Sequence, residues 1–370
     1  MGTPRNLLML SRPTFTMRCG RMPVLVIALV AFHLYLIRAW LENQNWQYGG
    51  VASGALLDVS EAAQNETLGF ERIYYISLPH RTDRQDMMTL LAASTNIKLA
   101  LQPGVNGSNI NNKAKPKGSE SLRPEQLGCW RSHADIWQRI INEKVQTAIV
   151  LEDDADWDVE IHDIFQTLSV QMRKGELRKR KATKYEINHA PYGLDWDLLY
   201  IGTCWDIPNG ENRPKHQVYN DRFSPNSTEM ADSFRKELKD WGVDLANNTR
   251  VRVLAPSWYS VCTIGYALTN WGAQKLLYTI GNRESMGAPI DLAMIDKVQK
   301  GYLDALTVIP PLVTPWKTGR VSDSDIDNLA ERKGELPSGS ENLQNSARKA
   351  LESSLLGVQE DYTRRAGMKV

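Results

Sequence analysis

Several residue patterns that announce familiar chemistry are missing from this chain. It holds only four cysteines and six histidines in 370 residues, with no CxxC pair, no Cys/His spacing of a zinc site and no HExxH run. That argues against a zinc ribbon and leaves a metal-dependent hydrolase short of histidine ligands. A surplus of one charge is absent as well: the net charge is +1, so no global field favours nucleic acid. The densest basic run, Arg173-Lys-Gly-Glu-Leu-Arg-Lys-Arg-Lys181, has no interleaved aromatics on which bases could stack, and reads as a solvated helix or loop. Internal repeats are also lacking. What remains, 42% hydrophobic and 24% charged residues, is the composition of a globular protein able to bury one large core or two small ones.

One long apolar run is present, from Met22 to Ile37, with Arg5, Arg12, Arg18 and Arg21 before it and Arg38 after it. A core of about sixteen residues is short for a span, but snorkelling of the flanking arginines extends it. A cleaved signal peptide is the competing reading. Arg38, Trp40 and Leu41 follow the run where a small-x-small cleavage site would stand. The expectation is therefore a cytosolic tail over 1–21, a single-pass signal anchor over 22–40 and a luminal remainder. A short span fits a thin Golgi or endoplasmic reticulum membrane. Sequons at Asn65, Asn106, Asn226 and Asn247 agree with that placement. On the luminal side Cys129, Cys204 and Cys262 allow at most one internal disulfide, with one thiol left over.

Residues 41–68 are polar and rich in small residues, as a stem would be. Residues 321–370 carry nine acids and seven bases with few large apolar residues; they read as a loosely ordered tail with one helix near 342–356. Between these, strand and helix patterns alternate over 69–320. Strands are expected at 72–78, 147–151, 197–202, 262–268 and 306–310, and helices at 83–93, from Pro124, at 271–278 and from an N-cap at Asp291 to about 300. The helix from Pro124 shows the stripe Leu127, Trp130, Ala134, Trp137 and Ile141. This alternation predicts an α/β domain with a mostly parallel sheet. The Asn-, Pro- and Arg-rich stretch 206–256 reads as an insertion or a substrate-facing lid.

The most informative stretch is Thr147-Ala-Ile-Val-Leu-Glu152-Asp153-Asp154, a buried strand that delivers three acids to its carboxyl end. Ligands bind at that edge in open α/β sheets. Hard divalent cations take carboxylate oxygens, commonly together with substrate phosphates. A metal–diphosphate site and a solvated strand-to-loop turn both explain the acids, with Asp156 and Asp158 on the solvated loop beyond. Arg81 and Arg84, at a helix start after the first strand, could cradle a diphosphate, or form an ordinary turn with a surface ion pair. Ser132 and His133 are adjacent on one helix and so cannot act as a nucleophile–base pair. His133 either lines a donor pocket or is a satisfied structural histidine. Asp291 either caps its helix or serves as general base for an acceptor hydroxyl.

Five blocks together resemble glycosyltransferase family 25, a family of lipooligosaccharide and collagen galactosyltransferases. They are Ile76-Ser-Leu-Pro-His-Arg-Thr-Asp-Arg84, Leu127-Gly-Cys-Trp-Arg-Ser-His133, Ile149-Val-Leu-Glu-Asp-Asp154, the run from Gly265 to Leu277, and Pro289-Ile-Asp291, in the family's order across roughly residues 71–315. The resemblance implies a GT-A-like nucleotide-sugar-binding fold, an inverting hexosyltransferase, a UDP-sugar donor such as UDP-galactose, and Mn2+ or Mg2+. It implies Asp153 and Asp154 at the metal, and Leu78, Arg81, Arg84, Ser132, His133 and Glu152 at the donor. Asp291 and Asp153 are its catalytic acids, and its acceptor is a glycan or glycoprotein. A non-catalytic luminal glycan-binding protein that keeps the fold is the alternative. Two departures stand out: Ser77 replaces the family's common Asn, and 206–256 has no counterpart, so acceptor specificity does not transfer.

Overall fold

The structure is a computed structural model, and it describes residues 59–210, 213–245, 249–281, 286–319, 323–326 and 338–365. The expected cytosolic tail, the anchor, residues 41–58 of the stem and the Asn247 sequon lie outside the described residues. Among the described residues no helix is long and apolar enough to cross a membrane.

The chain enters the domain through a 3-10 helix at Val59–Gln64, in which Ala63 is buried, so residues 59–68 of the expected stem pack onto the fold. The elements that follow are β1 (Arg72–Ser77), α1 (Thr82–Ser94), β2 (Ala100–Pro103), α2 (Pro124–Asn142), β3 (Thr147–Glu152), β4 (Ala155–Trp157), α3 (Ile161–Arg173), α4 (Lys184–His189), β5 (Leu198–Gly202), β6 (Trp205–Asp206) and β7 (Gln217–Asn220). Then come α5 (Asp232–Asp240), β8 (Val251–Pro256), β9 (Ser260–Val261), β10 (Gly265–Thr269), α6 (Asn270–Thr279), α7 (Ile290–Gln299), β11 (Ala305–Ile309), β12 (Val313–Pro315), β13 (Lys317–Thr318), β14 (Ser338–Gly339) and α8 (Ala347–Arg365).

Eight strands form one sheet in the order β2-β1-β3-β10-β5-β11-β8-β7. β5 and β10 are buried at every position, as strands covered on both faces must be. Side-chain alternation divides the two cores. Ile149, Leu151, Leu199, Ile201 and Ala267 face a core with Met88, Leu91, Phe165 and Trp157. Ala148, Val150, Leu198, Tyr200, Tyr266 and Leu268 face another with Trp130, Trp137, Leu276 and Met294. Of the stripe predicted on α2, Trp130, Ala134 and Trp137 lie in that second core with Ile141 partly buried against it, and Leu127 is buried outside that cluster.

The sheet is mixed, which corrects the expectation of a mostly parallel one. Pairs β1–β2, β1–β3 and β5–β11 are parallel; β3–β10, β10–β5, β11–β8 and β8–β7 are antiparallel. Strand β10 is entered from β9 with no helix to carry the chain back across the sheet, so it runs opposite to β3 and β5. The stretch 206–256 is likewise not a mere insertion. It supplies β7 and β8 to the main sheet, and Phe234 and Leu238 of α5 pack with Trp241, Val253 and Ile309 in a third core. The C-terminal stretch also packs onto the domain: β14 pairs with β13, and Ala347 at the start of α8 is buried.

Candidate functional site

Strands β1, β3 and β5 run the same way, so their carboxyl ends share one edge of the sheet. β10 is reversed, and its approach, Cys262 to Ile264, reaches that same edge. There Thr263 Oγ1 donates to Glu152 Oε1 at 2.6 Å. The Glu152 side chain is 27% exposed, and His133 Nε2 lies 4.0 Å from its Oε1. Loss of water and the negative charge of Asp154 push the Glu152 carboxyl up to about 8. Asp153 is buried and accepts from Arg84 Nη1 at 2.5 Å. Asp154 keeps one oxygen 3.9 Å from Arg84, while its Oδ1 is buried without a hydrogen-bond partner. Burial pushes this carboxyl up to about 6, against the pull of Arg84.

Asp156 and Asp158, expected on a solvated loop, are 0% and 1% exposed. Asp156 accepts from Ser340, Ser346 and the backbone N–H of Arg348; Asp158 accepts from those of Glu160 and Asn345. The C-terminal segment thus covers these acids and adds four hydrogen bonds to the local ones from Trp157 and Glu160, which no local pattern around them announces. Arg348 has Asp156, Asp154, Arg84 and Asp323 as its electrostatic neighbours, and its Nε and Nη2 are buried without partners.

The turn after β1 places both arginines. The Leu78 carbonyl accepts from the backbone N–H of Arg81 and from Gln85 Nε2, each at 2.9 Å, so Leu78 braces the turn. Arg81 is the N-cap position of α1 and forks onto Asp83 through Nε and Nη2 at 3.0 and 2.9 Å. Arg84, three residues on, reaches Asp153 and Asp154, which with Glu152 form the acids at the end of β3.

Ser132 is engaged structurally. Its Oγ donates to the Gly128 carbonyl at 2.7 Å and accepts from the Val105 N–H at 2.8 Å, tying the loop after β2 to α2. That approach needs glycine on both sides. A Cβ on Gly128 would stand 2.4 Å from the Val105 carbonyl oxygen, and one on Gly107 1.6 Å from that of Pro124. His133 is buried, its Nδ1 2.8 Å from the Tyr266 hydroxyl, and burial lowers it to about 3, so it is neutral. It supports the floor beneath Glu152.

Asp291 lies in the first turn of α7, whose N-cap is Pro289, which corrects the expected cap at Asp291. Its carboxylate accepts from the Cys262 N–H at 3.2 Å and from its neighbour Leu292 at 2.9 Å. Cys262 is joined to Cys204 by a disulfide and Cys129 is left free, so the disulfide holds the β6–β9 ladder beside Asp291. Asp291 is also among the negative charges that raise Glu152.

The edge therefore brings together Glu152, Asp153, Asp154, Arg81, Arg84 and Asp291, with His133 beneath, while Ser132 and Leu78 brace the surrounding backbone. Sequence reasoning missed Thr263, Arg348, Asp323 and Asp325; only the acidic Asp323-Ser-Asp325 run carried any signal. Among the described residues no three His, Cys, Asp or Glu side chains converge as a metal cage does. The partnerless Asp154 Oδ1 does fit a hard cation held by one carboxylate together with a ligand's phosphates.

Residues 70–193 match the family model "Glycosyltransferase family 25 (LPS biosynthesis protein)". That segment contains Arg81, Arg84, Ser132, His133 and the β3 acids, and ends before Asp291. The chain is 25% identical over 227 residues to "Procollagen galactosyltransferase 1" of Danio rerio, covering 58% of this chain and 29% of the relative. It is 25% identical over 225 residues to "Procollagen galactosyltransferase 2" of Homo sapiens, covering 57% and 28%. It is also 24% identical over 148 residues to "Inactive glycosyltransferase 25 family member 3" of Homo sapiens, covering 36% and 22%. These alignments span less than a third of each relative.

Proposed function

The comparisons support assigning the chain to glycosyltransferase family 25, and from that premise we propose that it is an inverting hexosyltransferase using a UDP-sugar, with UDP-galactose as the first candidate. Its acceptor is a glycan or glycoprotein of the secretory pathway, reached from a Golgi or endoplasmic reticulum membrane. The observation that carries this reading is the juxtaposition at one strand edge of the β3 acids and the arginine pair, with one Asp154 oxygen buried and unpaired.

Arg81 and Arg84 supply planar N–H forks suited to a diphosphate. Asp154 offers its unpaired oxygen to Mn2+ or Mg2+, and a cation there would offset negative charge on the leaving diphosphate. Asp153 holds Arg84 in place. Without a cation the Glu152 carboxyl is raised to about 8; a cation on Asp154 would draw it down again and leave Glu152 to accept from a sugar or ribose hydroxyl. Asp291, on a different element, takes the proton from the acceptor hydroxyl. Inversion needs the base on the face opposite the leaving group, and separate elements for Asp291 and the β3 acids permit that.

The test is UDP release by the full chain from a panel of UDP-sugars with Mn2+, with and without EDTA. Release from one donor that EDTA and Asp154→Ala both abolish, in a folded variant, supports the transferase. A relative named inactive keeps the non-catalytic glycan-binding reading in play. Glycan binding with neither turnover nor stabilisation by any donor would establish that reading instead.

A further inference from the structure

We propose that Asp323-Ser324-Asp325-Ile326 is an internal anionic latch seated on the Arg81–Arg84 pair, which a diphosphate must displace to bind. The inference rests on reading these arginines as a diphosphate cradle and adds the regulation of that site.

The contacts are specific and come from more than two hundred residues away along the chain. Arg81 Nη2 meets Asp323 Oδ1 at 2.9 Å, and its Nη1 meets Asp325 Oδ2 at 2.5 Å and the Asp323 carbonyl at 3.1 Å. Arg84 Nη2 donates to the Asp323 carbonyl at 2.7 Å and lies 3.3 Å from Asp323 Oδ2. Arg123 Nη2 closes the other end on the Ile326 carbonyl at 2.7 Å. Asp323, Asp325 and Ile326 thus engage three arginines.

The donor inventory makes the occupancy exclusive. The Arg81 fork is divided between Asp83 on one side and Asp323 and Asp325 on the other, with Nε, Nη1 and Nη2 all engaged. The Arg84 donors are divided between Asp153 and Asp323. A diphosphate reaches Arg81 Nη1 and Arg84 Nη2 only by replacing the latch, which also holds Arg81 Nη2. Two carboxylates two residues apart present to the arginines what two linked phosphates would: two anionic groups on a short tether. Displacement costs little in chemistry, because one charge-assisted set of bonds replaces another. Removing the carboxylates should therefore unmask the site. If the latch is closed nine-tenths of the time, it weakens the apparent affinity about tenfold.

The experiment titrates inorganic pyrophosphate into the full chain by calorimetry, with wild type, Asp323→Asn/Asp325→Asn and, as a control of equal charge change on α5, Asp232→Asn/Asp240→Asn. The latch variant is expected to bind about tenfold tighter than wild type, and the α5 control to be unchanged. In wild type, saturating pyrophosphate should accelerate hydrogen exchange at amides 323–326, a readout that stands even if the latch variant folds poorly. Equal or weaker binding by a folded latch variant overturns the latch, as does no binding by either protein or unchanged exchange on saturation. No sugar, acceptor or turnover enters the assay. A catalytically inert protein can still show the latch, and an active transferase can still refute it.

Discussion

Replacing Glu152 by Gln should change how stability depends on pH, with a sign and size that follow from the site. The Glu152 carboxyl is raised from 4.5 to about 8 in the folded protein by desolvation and by Asp154. The native state therefore binds this proton more tightly than the unfolded chain. The resulting stabilisation is complete below the unfolded value of 4.5 and is lost as pH rises towards about 8. A proton held only by the native state gives a slope of about 1.4 kcal/mol per pH unit, or about 5 kcal/mol over the whole window. The side chain is 27% exposed, and solvent screens part of this, so about 2 kcal/mol is the working figure. Gln keeps an oxygen for the Thr263 hydroxyl and has no proton to lose. Urea unfolding of both proteins in EDTA should show Glu152→Gln gaining about 2 kcal/mol relative to wild type between about pH 5 and pH 8. A difference that stays flat across that range would refute the assignment of a protonated Glu152.

Two further outcomes test the frame around the site. Arg252 and Asp221 are each 1% exposed at the side chain and paired at 2.5 Å, with Arg252 also donating to the Pro310 and Pro311 carbonyls, so Arg252→Leu strands a buried carboxylate and should cost about 3 to 5 kcal/mol in chemical denaturation. The Cys204–Cys262 disulfide closes a 58-residue separation, and Cys204→Ser/Cys262→Ser should lower unfolding stability by about 4 kcal/mol, read as a shifted denaturation midpoint.

Much of this protein was settled by near neighbours in the chain. The apolar run Thr147–Leu151 had to be buried, and its acids had to emerge at the strand end, because side-chain alternation and strand length are local properties. The same holds for α2, where Pro124 at the first helical position and a stripe at helical spacing announce the start and the buried face. The turn that carries Arg81 and Arg84 was legible for the same reason. Tertiary structure decided what depends on pairing between distant segments. Nothing near Gly265 says that β10 runs backwards between β3 and β5, or that residues 217–256 supply two strands of the main sheet. Nor could local polarity show that Asp156, in so acidic a loop, is buried beneath Ser340 and Ser346, or which two of the three cysteines from Cys129 onward join. Asp323 and Asp325 meet Arg81 only because the folded chain returns there. Secondary structure follows from interactions a few residues long, whereas register, burial of charge and the company each arginine keeps are set by the closure of long loops, on which a local pattern carries no information.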